Sequence, residues 1–288
     1  DFLDLPFDNN RLTASDTSMY YSSYPRSHYE SLIFSTSGFL GPQGQSFLSA
    51  YQYYQAVSGK SFFLTGEVKG WFTAAQNASF YGGSDSTNNN RDIAVPELVK
   101  EAVIKAVVGM STSELASYDV EDPLDFDSDG NVDEPDGNID HVMLFHSSIG
   151  QEAGGGVLGS HAIWSHKAAI SPGYTIPGTG LKVSTYTVQP IDSAAGIVVH
   201  EFGHDLGLPD EYDTSNVGKG SPVGSWSVMS NGIWTGDIAG TQPTGFSPYA
   251  RSYLQERYKG RWANELEILL SSIGDSGLEI ALNEAVNH

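Results

Sequence analysis

Residues 200–213, HEFGHDLGLPDEYD, hold the densest set of groups able to do chemistry. His200 and His204 are four apart, so on a helix both imidazoles project from one face. Two nitrogens so spaced can reach one Zn²⁺ at about 2.0–2.1 Å each. Glu201 lies about 100° further round the helix and can take a proton from a zinc-bound water without ligating the metal. Gly207 lets the helix end sharply, because glycine tolerates the left-handed conformation that closes helices. Asp210, ten residues after His200 and six after His204, then completes H-E-x-x-H-x-x-G-x-x-D as third ligand, with adjacent Glu211 as the alternative. The fourth metal position would hold a water with its pKa lowered towards about 7, the chemistry of peptide-bond hydrolysis. Glu201 would pass the proton on to the departing amine.

With eight histidines in the chain, a bare H-E-x-x-H arises by chance in roughly one such chain in a hundred. Gly207 and Asp210 at fixed offsets make a metal-free surface helix the weaker reading. A second constellation is acidic: residues 125–140 read DFDSDGNVDEPDGNID. Asp125, Asp127, Asp129 and Gly130 match the first half of a calcium loop, with oxygen ligands at alternate positions before a turn glycine. Asn131 offers a backbone carbonyl, Asp133 and Asp136 fall at the ninth and twelfth positions, and Asp140 is a further candidate. So many carboxylates repel one another unless a cation joins them. The expected occupant is Ca²⁺, in an EF-like loop followed by a strand.

These patterns resemble known proteins. The zinc pattern with Met229 downstream, in SWSVMS, is similar to the metzincin proteases, where a methionine turn lies beneath the metal. With IWSHK at 163–167, GQEAGGG at 150–156 and GDIAGTQPTGFSP at 236–248, the chain resembles the bacterial immune inhibitor A family of secreted zinc metalloproteases over residues 45–265. The resemblance implies an α/β, metzincin-like fold: a twisted mixed sheet, a backing helix near Pro96–Val108 and an active-site helix near Asp192–Leu206. It implies an N-terminal part, 1–207, with the calcium loop and zinc helix, and a loop-rich part, 208–288, with the methionine turn. A substrate cleft would lie between them. It also implies zinc and structural calcium, protein or peptide substrates, secretion as a virulence factor and a removed pro-segment. Many metzincins carry a tyrosine two residues past the methionine; here that position is Asn231, so no oxyanion-stabilising side chain is assigned.

Two rival readings remain. In a gluzincin, a Glu on a later helix (Glu256 or Glu265) would be third ligand, against which the early Gly207-x-x-Asp210 argues. In a calcium-dependent adhesion module the zinc site would be vestigial, against which the intact Glu201 argues.

The 288 residues carry 35 Asp+Glu against 14 Lys+Arg, a net charge of −21. Such a surface repels phosphate backbones and anionic lipid, so nucleic-acid binding and membrane docking are disfavoured. Cysteine is absent, which removes disulfides, thiolate nucleophiles and Cys-ligated metals. No run of 18 apolar residues predicts a membrane helix. The start at Asp1 reads as a mature or trimmed chain.

The elements that must position the site are read as follows. Pro96 opens a helix with apolar residues from Leu98 to Val107. His141–His146 and Leu181–Val188 are strands, as are Phe62–Leu64, Val68–Phe72 and Ala162–Trp164. Asp192 or Ser193 caps the zinc helix, and Pro248 leads a helix to Tyr258. Residues 1–45 are loop and short strands, and the aromatic residues of 1–55, mainly tyrosines, are packing groups rather than a binding stripe. His141, His146, His161 and His166 have core or surface roles, with one of them orienting substrate or a group behind the ligands as the alternative, and Gln151-Glu152 lines the cleft or holds a second cation.

Overall fold

A computed structural model describes residues 1–85, 91–92, 94–123, 125, 127–215 and 220–262. Helix α1 (Arg26–Phe34) precedes a two-residue ribbon of β1 (Phe39–Leu40) and β2 (Ser46–Phe47), then α2 (Ala50–Val57). The short α3 (Ala78–Tyr81) and the ribbon β3 (Ser84–Asp85) and β4 (Arg91–Asp92) lead to α4 (Val95–Ala106) and α5 (Thr112–Ala116). Strands β5 (Met143–His146), β6 (His166–Thr175) and β7 (Lys182–Pro190) follow, then α6 (Ala195–Asp205) and α7 (Pro248–Tyr258).

Among the described residues the main sheet has the order β5-β7-β6. β5 runs parallel to β7, pairing Met143 with Thr187 and His146 with Pro190. β6 is antiparallel to β7, joined through the turn that pairs Ile176 with Leu181. The central strand is buried continuously from Tyr186 to Pro190, as expected of a strand covered on both faces. One side carries a cluster of Val95, Leu98, Val99, Ile170, Val183 and Tyr186; the other carries α6 with α1, α2 and α7. The fold is thus mixed α/β, as the sequence implies.

α6 reads AGIVVHEFGHD, and every residue but His204 is buried. A helix apolar on all sides belongs in a core rather than on a surface. Its neighbours fix it through hydroxyls: Tyr54 donates to Val199 O (2.8 Å) and Tyr29 to Ile191 O (2.9 Å). The early tyrosines therefore pack and anchor. The expected cap is replaced. Ala194 holds the N-cap position without a side-chain bond, Ser193 donates to Pro190 O, and Gly240 O receives the Gly196 amide (2.8 Å). A neighbouring loop satisfies an amide that a side chain would otherwise take.

Other expectations change. α4 forms with Pro96 in its first turn, Glu97 at its positive end and Lys105 in its last turn. Helix α1 stands within the predicted loop region, and a Ser49–Gln52 capping box starts α2. The predicted strands 62–64 and 68–72 stay outside any sheet. Gly66 and Gly70 interrupt the run, and its polar groups find other partners: Gln55 donates to Phe62 O and Trp71 Nε1 to Tyr24 O (2.8 Å). This segment and β5 line a cavity of about 600 Å³. Ala162–Trp164 is no strand either, because Asp92 accepts the Trp164 amide and Glu152 the Ser165 amide, and β6 begins at His166. Among the described residues no helix is long and apolar enough to cross a membrane. Glu265 and residues 263–288 of the expected C-terminal part lie outside the described residues.

Candidate metal centre

The last two turns of α6 bring His200 and His204 together, their ring centroids 4.7 Å apart. The chain reverses at Gly207, with φ +98°, where a Cβ would come within 2.3 Å of the Tyr253 hydroxyl. The reversal returns Asp210 to the helix: its Oδ1 lies 3.3 Å from His200 Nε2 and 3.2 Å from His204 Nε2. Each imidazole faces a carbonyl on its other side, His200 Nδ1 at 2.8 Å from Val228 O and His204 Nδ1 at 2.7 Å from Leu208 O. Carbonyls only accept, so both Nδ1 atoms carry the proton and both Nε2 lone pairs face Asp210.

Two lone pairs aimed at a carboxylate oxygen repel unless a cation joins them. The spacing suits one: ligands about 2.0–2.1 Å from a tetrahedral centre are about 3.3–3.4 Å from each other. A proton can stand in for that cation: burial raises the Asp210 carboxyl, but hydrogen bonds and charge from protonated His200 and His204 outweigh it and hold the group below the usual carboxylate range, ionised and fit to ligate. The donor set therefore fits Zn²⁺.

Glu201 is 4% exposed and its Oε2 has no hydrogen-bond partner. Burial pushes its carboxyl up to about 7, opposed by His200 and His204 and reinforced by Asp210 and Glu152. A carboxyl poised near neutrality, with Oε2 unpartnered, beside the cluster of His200, His204 and Asp210 suits proton transfer. Met229 is fully buried beneath α6, where a Cβ on Gly203 would meet its Sδ at 2.7 Å. Its carbonyl accepts the Glu211 amide (2.7 Å), and its neighbour Val228 orients His200. The methionine segment thus props both the helix and the ligand loop. Glu211 points elsewhere, accepting from the Ser247 hydroxyl that caps α7, and Glu256 is exposed on α7.

The acidic loop divides. Among the described residues, carboxylates of Asp122, Asp125 and Asp127 converge, and so do those of Asp127, Asp129 and Glu134. Asp127, Asp129 and Asn131 each accept the amide two residues on, a run of turns that curls the loop around one side. Asp133, Asp136 and Asp140 join neither group. Asp136 bonds Asn138, while Asp140 accepts the amides of Val120 and Glu121. Asn131 donates its side-chain amide to Glu134. Counting along an EF-hand template thus omits Asp122 and Glu134, which the curl brings in.

The whole sequence context agrees with this geometry. Residues 1–263 match the family model described as immune inhibitor A peptidase M6, catalytic domain. The chain belongs to the immune inhibitor A, M6 peptidase family. It is 48% identical over 283 residues to the pre-pro-metalloprotease PrtV of Vibrio cholerae, covering 95% of this chain and 31% of that protein. It is 40% identical over 293 residues to immune inhibitor A of Bacillus thuringiensis subsp. alesti, covering 97% and 42%. The chain therefore spans less than half the length of these relatives, and the part it spans is the M6 peptidase catalytic domain.

Within this M6 domain two further residues stand at the centre. Tyr212, two past Asp210 and 38% exposed, stands near the Asp210 carboxylate: burial first, and then that charge, raise its phenol above the ordinary range. The sequence signal for it was its place in Asp210-Glu211-Tyr212, whereas the position past Met229 is taken by Asn231, which accepts from Ser221. Glu152 is clamped by the Ser165 amide (3.1 Å) and hydroxyl and adds negative charge near Glu201. Of the other histidines, His146 is buried, pushed down to about 3 by that burial, and paired with Ser148. His166 bonds Trp164 O, and His161 is exposed.

Proposed function

We propose that the chain is the catalytic domain of a secreted zinc endopeptidase that cuts protein substrates. The reading is carried by one observation: two imidazoles with Nδ1 tied to carbonyls and Nε2 directed at the same carboxylate oxygen. His200, His204 and Asp210 would hold the zinc. When bound, the metal lowers the pKa of water and polarises the scissile carbonyl as a Lewis acid. Glu201 accepts the proton of the attacking water and returns it to the departing amine nitrogen. Tyr212, its hydroxyl beside the ligand carboxylate, turns to donate a hydrogen bond to the carbonyl oxygen as negative charge builds there.

The same reading makes the fold metzincin-like, with residues 1–207 supplying the zinc helix, 208–288 the methionine turn, and the cleft between them. The acidic loop would hold calcium through Asp122, Asp125, Asp127, Asp129 and Glu134, all hard oxygen donors. A pro-segment and export are proposed from the relatives, one of which is named as a pre-pro enzyme. The adhesion reading is disfavoured by a buried Glu201 that has no structural hydrogen bond at Oε2.

Metal analysis with casein digestion tests the proposal. Wild-type protein should carry one zinc and digest casein, and Glu201→Gln should keep the zinc and lose digestion by about 10²–10⁴-fold. A chain that takes up no zinc, or a Glu201→Gln variant as active as wild type, overturns it.

A further inference from the structure

The residue after the second histidine is a carboxylate in an unfavourable place. The Asp205 side chain is 3% exposed and sits at the negative end of α6, where burial and the helix dipole both oppose its charge. Its partners come from three other segments. His141 Nδ1, just before β5, lies 2.6 Å from Oδ2; Thr185 of β7 donates to Oδ1 at 3.5 Å; Lys167 Nζ of β6 is 3.7 Å from Oδ1. The same Lys167 ammonium donates to His204 O at 3.0 Å, one of the carbonyls that a helix end leaves unpaired. The His141 ring also packs on Phe202, with centroids 4.7 Å apart.

We propose that Asp205 is a positioning residue for the proposed zinc centre. Gripped by His141, Lys167 and Thr185, it fixes the last turn of α6, so that His204 meets His200 and Asp210 at ligand spacing. The inference rests on the zinc reading above and adds residues that touch neither metal nor substrate. The His204 ring depends on this turn twice, through its own backbone and through the Leu208 carbonyl, which follows the reversal at Gly207. A loosened turn moves both. Lost supporting contacts of this kind typically weaken metal binding about 10–100-fold.

The test compares wild type with Asp205→Asn, His141→Phe and Lys167→Met. Three readouts serve: zinc affinity by chelator competition, the visible spectrum of the cobalt-substituted protein, and kcat and KM on a peptide. Folded Asp205→Asn and His141→Phe should bind zinc at least about tenfold more weakly. They should also shift the cobalt bands and lower kcat with KM unchanged. Lys167→Met should move in the same direction, and Lys167→Arg should restore the wild-type values. Should Asp205→Asn fail to fold, the other two variants decide. Variants with wild-type zinc affinity and an unaltered cobalt spectrum overturn the role of Asp205. A wild-type protein that takes up no zinc instead overturns the zinc reading.

Discussion

A hydroxyl two residues beyond a proposed metal ligand has little room to be decorative. Tyr212 stands near Asp210 and is partly exposed, so its hydroxyl can turn towards an acceptor that arrives at the site. Tyr212→Phe keeps the ring and removes the donor. Loss of one oxyanion donor typically costs about 10²–10³ in kcat, so a fall of roughly that size with little change in KM or zinc content is expected in peptide kinetics. His141 offers a different reading at this scale. Burial would lower its pKa, but Asp205 and then Glu121 outweigh it and raise it to about 10. A group raised on folding stabilises fully below its unfolded value, about 6.5, and loses that contribution as pH climbs through its folded value. The thermal midpoint of wild type should therefore exceed that of His141→Phe most at pH 6, with the gap narrowing towards pH 10; a constant gap would refute the pairing. The convergence of His200, His204 and Asp210 was legible because their spacing is local, set by one helical turn and the bend that follows it. The place of Tyr212 was not, although it stands only two residues past Asp210, because it depends on the loop beyond Gly207.

Among the elements, the turn ending α6 is the most exacting. Gly207 combines φ +98° with a Cβ position 2.3 Å from the Tyr253 hydroxyl. Gly207→Ala adds backbone strain of about 1–3 kcal/mol to that clash. It should lower the melting temperature and weaken zinc retention together, checked by calorimetry on the chelated and zinc-loaded protein. A drop in stability with zinc affinity intact would separate the turn from the centre. Helices α4 and α7 were legible through their prolines, and β7 through the alternation of Lys182 and Ser184 with Val183 and Thr185. β6 was not, because Ser171-Pro172-Gly173 reads as a turn, whereas the structure absorbs it as an irregularity between Ala169 and Tyr174. The strands expected at 62–64 and 68–72 fail for the opposite reason: their apolar residues pack, but no neighbouring strand pairs with them.

Across the whole molecule, 35 acidic residues and no cysteine leave a chain without covalent staples and with surplus like charge. Carboxylates gather at the acidic loop, whose stem is tied to α6 by two routes. Glu121 meets His141, the partner of Asp205, while Arg257 bonds Pro123 O and Tyr258 donates to Leu206 O (3.3 Å). Calcium at 100 times its dissociation constant would add about 2.7 kcal/mol of stability. Withdrawing it with a calcium-selective chelator should thus lower the melting temperature, measured at constant zinc, and Asp127→Asn should blunt the effect. An unchanged melting temperature would leave the loop as a solvated acidic turn.

The burial of α6 has a further consequence. The helix that carries two of the proposed ligands and the proposed base is also the rod on which the core is threaded, held by Tyr54 and propped by Met229. Local fraying that spares a working centre is therefore excluded on structural grounds, since opening this helix opens the core. Among its own copies such a protease protects itself: a molecule loosened enough to become prey has, in the same event, lost its bite.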